Sequence, residues 1–241
     1  MCGRLALAEG YREIVRGVDV EALPAIRRRF NVAPTAPLPA FAMHRGRPTL
    51  DIYRWGIVPL WAKDGKPDLF NARDDKVATS SSYRGWLRQN RCIVPASHFF
   101  EWQKVGGAKI PHAIHRRDGR PLLLAGVWAL GLDPQNAIDM PSVCLFTTRA
   151  NGVMEPLHTR MPVILDPDRV DEWLDSDLQN LAALQLFLQP CPDEWLEAYP
   201  VSDAVNRAAN EGPELLQPAA THAADGGYVT GTARNLELPI S

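Results

Sequence analysis

The chain opens Met1-Cys2-Gly3-Arg4, and a cysteine in second place can do chemistry that no internal cysteine can. An initiator methionine before a small residue is normally trimmed. Cys2 then carries a thiol and a free α-amine on one residue. Such a 1,2-aminothiol captures aldehydes. The amine condenses to an imine, and the sulfur then adds to the imine carbon to close a five-membered thiazolidine. An α-amine has an ordinary pKa of ~8, so an appreciable part of it is neutral near pH 7 without special tuning. The competing reading of position 2 is a loose terminus where any small residue would do. A lone cysteine is also more often packing than chemistry.

A neutral amine needs a base near it. Glu101, between Phe100 and Trp102, is the candidate. Partial desolvation by the two aromatics would make its carboxylate a better proton shuttle. Strand alternation explains the same three residues, with the aromatics inward and the glutamate on the surface. His158 is the second acid/base candidate, because imidazole suits proton delivery near neutral pH. It stands out from the other five histidines only through the flanking Thr159-Arg160-Met161-Pro162. Arg4, Arg73 and Arg160 offer planar forks for phosphate oxygens. Each could instead sit in a surface ion pair of little worth. Trp61 could stack on a base or belong to the core.

These residues must be positioned by many short strands. Residues 38–43 and 49–55 read as a hairpin around His44-Arg45-Gly46-Arg47. Residues 99–103 and 112–115 flank Gly106-Gly107 as a second hairpin. Residues 122–130 form a near-continuous apolar run typical of a buried strand, and 143–148 and 161–165 look similar. Helices are expected over 9–16, over 81–89 behind a serine cluster able to cap it, over 167–174 with Pro167 at the first position, and over 180–188, stopping before Pro190. The pattern predicts an α+β fold, with largely antiparallel sheets curled into a barrel-like core and a few peripheral helices. Arg84, Arg88 and Arg91 are expected on a solvated face at one helix and its exit. Residues 219–241, rich in Ala, Gly and Thr, read as a loosely attached tail after a domain of residues 1–218.

Bulk properties exclude several classes. The chain has 241 residues, 46% of them apolar, enough for a sizeable core. No apolar run is long enough to span a bilayer, and no basic segment followed by an apolar stretch opens the chain, so neither membrane nor secretion is expected. Cys2, Cys92, Cys144 and Cys191 form no C-x-x-C pair, which argues against zinc and against a disulfide framework. No metal or organic cofactor is expected. A cytoplasmic monomer fits. The net charge of −2 predicts no strong nonspecific pull on nucleic acid, so any such binding needs a local arginine patch.

Five segments place polar residues where strands should end: Cys2-Gly3-Arg4, Asn31-Val32-Ala33-Pro34, Asn71-Ala72-Arg73, Phe100-Glu101-Trp102 and Leu157-His158-Thr159-Arg160-Met161-Pro162. Val201-Ser202, Ala204-Val205-Asn206 and Asn210-Glu211-Gly212-Pro213-Glu214-Leu215 close the set. The ordered series resembles the SRAP family, the SOS-response-associated peptidase proteins that crosslink to abasic sites in single-stranded DNA. That resemblance implies an abasic-site aldehyde trapped by Cys2 and shielded until repair, in a protein nucleoid-associated when bound to damaged DNA. It implies Glu101 beside the terminal amine, His158 assisting sugar-ring opening and imine formation, and Asn71 bonding the lesion sugar or the terminal cysteine. It implies DNA contacts from Arg4, Trp61, Asn71, Arg73, Thr148 and Arg160, with Arg160 alternatively paired to a carboxylate. The implied activity is lyase-like imine chemistry, with a peptidase activity that removes Met1. Two departures stand out: Trp61-Ala62 where relatives often carry two tryptophans, and Asp75 where they commonly carry glutamate. An N-terminal-cysteine hydrolase, which would need an oxyanion hole, and a noncatalytic single-strand binder, usually basic, are the competing classes.

Overall fold

The computed structural model describes residues 2–8, 27–44, 46–60, 62, 69–77, 79–132 and 139–219. Five strands close into a barrel: β3 (Pro37–His44), β4 (Arg47–Trp55), β6 (Arg91–Ala96), β9 (Leu122–Leu132) and β10 (Asp139–Arg149). Four of the barrel pairings are antiparallel, and β4 against β10 is parallel. Both faces of the wall are covered, so all six residues of β6 are buried. This is why these strands read as continuous apolar runs rather than as alternating ones. Wall closure is tight where β6, β9 and β10 meet. A Cβ on Gly126 would lie 2.9 Å from the Cys144 carbonyl oxygen and 3.1 Å from Cys92 Sγ.

A second, antiparallel sheet has the order β12-β8-β7-β1-β2, formed by β1 (Leu5–Leu7), β2 (Arg29–Val32), β7 (His98–Val105), β8 (Ala108–Arg116) and β12 (Leu196–Pro200). Its apolar side chains, including Leu5, Val32, Phe99 and Ile114, share a core with Leu38, Val94, Leu124 and Leu145 of the barrel. A second core lies against the helices. Leu87 of α2 (Ser81–Gln89), Trp173 of α3 (Val170–Leu174) and Leu184 of α4 (Leu181–Gln185) pack there with Phe41, Ile93 and Phe146. The expected α+β class with a barrel-like core is what forms.

Details differ from the sequence reading for identifiable reasons. Ser80 precedes α2 but makes no side-chain cap bond. Asn180 does cap α4, accepting from the Ala182 and Ala183 N–H groups, yet α4 ends at Gln185 rather than near Leu188. Strand β11 spans only Arg160–Pro162, with Ile164 making a lone bridge to Leu124. Arg91 is not on a solvated face. It is 4% exposed and donates to the carbonyls of Leu87, Arg88, Trp173 and Asp175, so it closes the C-terminal end of α2 onto α3. The helix expected over 9–16 lies outside the described residues, as does the tail beyond Ala219, whose N–H donates to the Pro200 carbonyl at 2.8 Å. No helix among the described residues is long and apolar enough to cross a membrane.

Two interior strands of the second sheet, β7 and β8, carry a cross-strand histidine pair. The His98 and His115 rings stand 5.1 Å apart, each edge-on to Tyr199, and His98 Nδ1 meets Ser97 Oγ at 3.1 Å. Burial first, then the charge of His115, pushes His98 from 6.5 down to about 4. The unfolded chain therefore takes up this proton before the folded one does. Stability from this site is complete above pH 6.5 and drains away as the pH falls toward 4. Thermal denaturation across that window should show the melting temperature dropping by several degrees (roughly 5 °C, as for ~1–2 kcal/mol), and His98→Gln should flatten the drop. Gly126→Ala should lower the denaturation free energy by about 1–3 kcal/mol, because the new methyl meets a backbone carbonyl that cannot swing aside.

Candidate active site

The reactive end is not a loose terminus. Strand β1 lies between β2 and β7 inside the second sheet. Leu5 pairs with Phe99 and Ala6 with His98, and the Phe100 N–H donates to the Arg4 carbonyl at 3.0 Å. The same register carried two residues toward the terminus brings Glu101 opposite Gly3. Cys2 is 0% exposed and packs in the shared core, which also holds Met154 and Leu157 from the segment leading to His158.

Asn71 fixes the other side. It begins β5 (Asn71–Arg73), which runs parallel to β10 with Asn71 opposite Leu145. Its Nδ2 donates to the Cys2 carbonyl at 2.6 Å. Its Oδ1 is buried and has no hydrogen-bond donor among the described residues. An acceptor is therefore held beside Cys2, ready for an amine or a sugar hydroxyl.

Glu101 is 3% exposed, so the surface-glutamate alternative fails. The Cys2 thiol is pushed well above its ordinary range, chiefly by burial and then by the Glu101 carboxylate, while the ammonium of Met1 and the Arg4 carbonyl pull it back. The thiol thus rests protonated beside a carboxylate. That is unlike the depressed thiols of cysteine hydrolases. It suits an order of events in which the amine acts first.

His158 follows a compact turn in which the Met154 and Glu155 N–H groups donate to the Asn151 carbonyl. Gln103 Nε2 donates to the Pro156 carbonyl at 3.3 Å, tying this turn to β7 beyond Glu101. The Arg160 N–H donates to His158 Nδ1 at 3.0 Å. The same Nδ1 lies 3.1 Å from the Arg160 carbonyl oxygen, so the backbone of Arg160 fixes the orientation of the ring.

The arginines are less free than their types suggest. Arg4 Nη1 donates to Asn31 Oδ1 at 2.7 Å and to the Val205 carbonyl at 2.6 Å, and its guanidinium lies 5.8 Å from the centre of the Trp102 ring. Asn31, 1% exposed, donates to the carbonyls of Val205, Arg207 and Asn210. Trp102 Nε1 donates to Asn206 Oδ1, and Glu211 takes both the Arg29 side chain and the Phe30 N–H. Arg4 is thus turned inward as part of a clasp rather than outward as a phosphate fork. Arg73 is exposed and chelated by Asp75 at 2.9 and 2.6 Å. Arg160 donates to Asp74 Oδ1 at 2.6 Å and to Thr147, and Thr148, 1% exposed, donates to Asp74 Oδ2 at 3.0 Å. Trp61 lies outside the described residues. No cluster of three or more metal-ligating side chains occurs among the described residues.

The structure therefore gathers Cys2, Asn71 and Glu101 directly and ties in the turn that bears His158. It arrays Arg73, Thr148 and Arg160 around β5 and β10. Sequence reasoning gave no task to Asn31 or Asp74. The signal for Asn31 is a poor strand former inside a strand.

A barrel flanked by a sheet thus seats the buried Cys2 beside an acid and an amide. The pattern of the SOS response associated peptidase (SRAP) family matches residues 1–208, and the chain belongs to that family. It is 33% identical over 223 residues to the abasic site processing protein YoqW of Bacillus subtilis, covering 90% of this chain and 99% of that one. It is 32% identical over 228 residues to the abasic site processing protein YedK of Escherichia coli, covering 90% and 100%. A crystal structure of a Bacteroides thetaiotaomicron protein superposes with a TM-score of 0.79 at 23% identity, over 91% of this chain and 100% of that chain.

The clasp generates a test. Asn31→Ala strips donors from three carbonyls and a partner from Arg4, leaving buried polar groups unsatisfied. Denaturant unfolding should show a loss of about 1–3 kcal/mol.

Proposed function

We propose that this protein senses abasic sites in single-stranded DNA and shields them by crosslinking through Cys2 once Met1 is gone. The observation that carries the reading is the seating of Cys2: sealed from solvent, held by Asn71 through its own carbonyl, and within electrostatic reach of Glu101. The names of the relatives point to the same lesion.

Each step then has a residue. An abasic site is mostly a closed hemiacetal. His158 takes the proton lost by the anomeric hydroxyl and passes one to the ring oxygen as the aldehyde opens. The neutral Cys2 amine adds to the carbonyl carbon, and loss of water gives an imine. Glu101 takes the proton that the attacking nitrogen must shed. The thiol sulfur adds to the imine carbon, its proton passes to the nitrogen, and the thiazolidine closes. Across both steps one water leaves and no electrons are gained or lost. Asn71 Oδ1 orients the amine or a sugar hydroxyl. The enzyme needs no metal in this scheme, and Arg73 and Arg160 grip the flanking phosphates.

The names of the relatives favour this reading over an N-terminal-cysteine hydrolase. Purified protein mixed with a single-stranded oligonucleotide bearing one abasic site should give an adduct that survives heat and detergent. Cys2→Ala should abolish it. Glu101→Gln and His158→Ala should each slow its formation by about 10²-fold. Intact mass should show Met1 absent, and a tag fused ahead of Cys2 should block the reaction. An undiminished adduct from Cys2→Ala would refute the proposal.

A further inference from the structure

The groups expected to meet DNA phosphate are already holding anions. Asp74 and Asp75 open the short helix α1 (Asp74–Val77), directly after Arg73. Asp75 receives both Nε and Nη2 of Arg73, the two-pronged geometry by which a guanidinium binds a phosphate. Asp74 spreads its two oxygens over Arg160 and Thr148. The Asp74–Arg160 pair is the better sheltered, with side-chain exposures of 26% and 14%, against 48% and 49% for Asp75 and Arg73. Two adjacent carboxylates thus occupy both arginine forks. Helix polarity alone accounts for acids in a first turn, but not for both being committed to arginines from β5 and β11.

A place for the carboxylates to go lies next to them. Asp74 and Asp75 line a cleft of about 210 Å³ whose other walls are Gln185, Leu188 and Gln189 from α4 and its exit. The two glutamine amides carry N–H donors, so a displaced carboxylate there would not be left without a partner.

We propose that Asp74 and Asp75 are specificity-determining residues, built-in phosphate surrogates that keep Arg160 and Arg73 occupied until a strand anchored at its lesion displaces them. The inference rests on the abasic-site reading for its purpose and on the ion pairs for its mechanism. Undamaged strand must displace the carboxylates with phosphate alone and is therefore held weakly. A strand bound through its aldehyde at Cys2 presents its phosphates at high local concentration and displaces them readily. The overall charge of −2 works in the same direction, since the chain as a whole offers a polyanion no net attraction.

The test uses the full chain and a labelled single-stranded oligonucleotide without a lesion, with anisotropy read across a salt series. Asp74→Asn and Asp75→Asn should each tighten binding about fivefold. Each should also steepen the slope of log affinity against log salt by about 0.7, one released counterion equivalent per arginine freed. The Asp74→Asn gain should vanish in an Arg160→Gln background. Unchanged affinity and slope would overturn the proposal. So would a gain that survives Arg160→Gln, because that is bulk charge and not release of a fork. Asp75→Asn, on the exposed pair, keeps the test decisive if Asp74→Asn folds poorly. Adduct formation by the wild type on an abasic strand is scored separately. Its failure sinks the parent reading and leaves the salt-slope result to judge the ion pairs on their own.

Discussion

Everything at this site depends on one constraint: the first strand must be an interior strand. A terminus on a sheet edge, or outside it, would fray on a timescale far shorter than any chemistry. Here Leu5–Leu7 is paired on both sides, and backbone bonds continue outward as far as Arg4. Asn71 then holds the Cys2 carbonyl itself. Cys2 is presented by a fixed backbone, and the acid beside it belongs to the strand that fixes it.

The second constraint is the double duty of β10. Its first half closes the barrel against β4 and β9, and its last residues carry β5 on one side and β11 on the other. Asn71, Arg73 and Arg160 therefore sit on strands that hang from one barrel wall. That wall is tight enough to need glycine at position 126. The flanking polar contacts among Asp74, Thr147, Thr148 and Arg160 join the same two appended strands. Packing sets the spacing of the lesion-facing groups, and charge pairing sets how available they are.

Much of this was legible in the sequence, and the legible part has a pattern. The hairpin around Gly46 and the one around Gly106-Gly107 were readable because turn chemistry and apolar periodicity agree there. The buried runs at 122–130 and 143–148 were readable because a wall covered on both faces has no polar side. Strands β1, β5 and β11 were harder, since three residues carry no periodicity at all. Arg91 and Arg4 show the limit most clearly. An arginine's type says that it will find acceptors, but only the fold says whether they are phosphates outside or carbonyls within. Glu101 showed the same limit in reverse: strand alternation predicted an outward side chain, and the neighbouring first strand buried it.

The clasp on Arg4 and Asn31 has a bearing on when this protein can act. Its carbonyls come from Val205, Arg207 and Asn210, almost at the far end of the matched domain. A ribosome must therefore release nearly all of the domain before the leading strand has its last anchors. The leading strand is thereby tied to residues 205–210. An unfinished or C-terminally clipped polypeptide would hold the leading strand through β7 and Asn71 but lack the anchors on Arg4 and Asn31. Seating of the leading strand is therefore complete only once almost all of the chain's folded part has emerged.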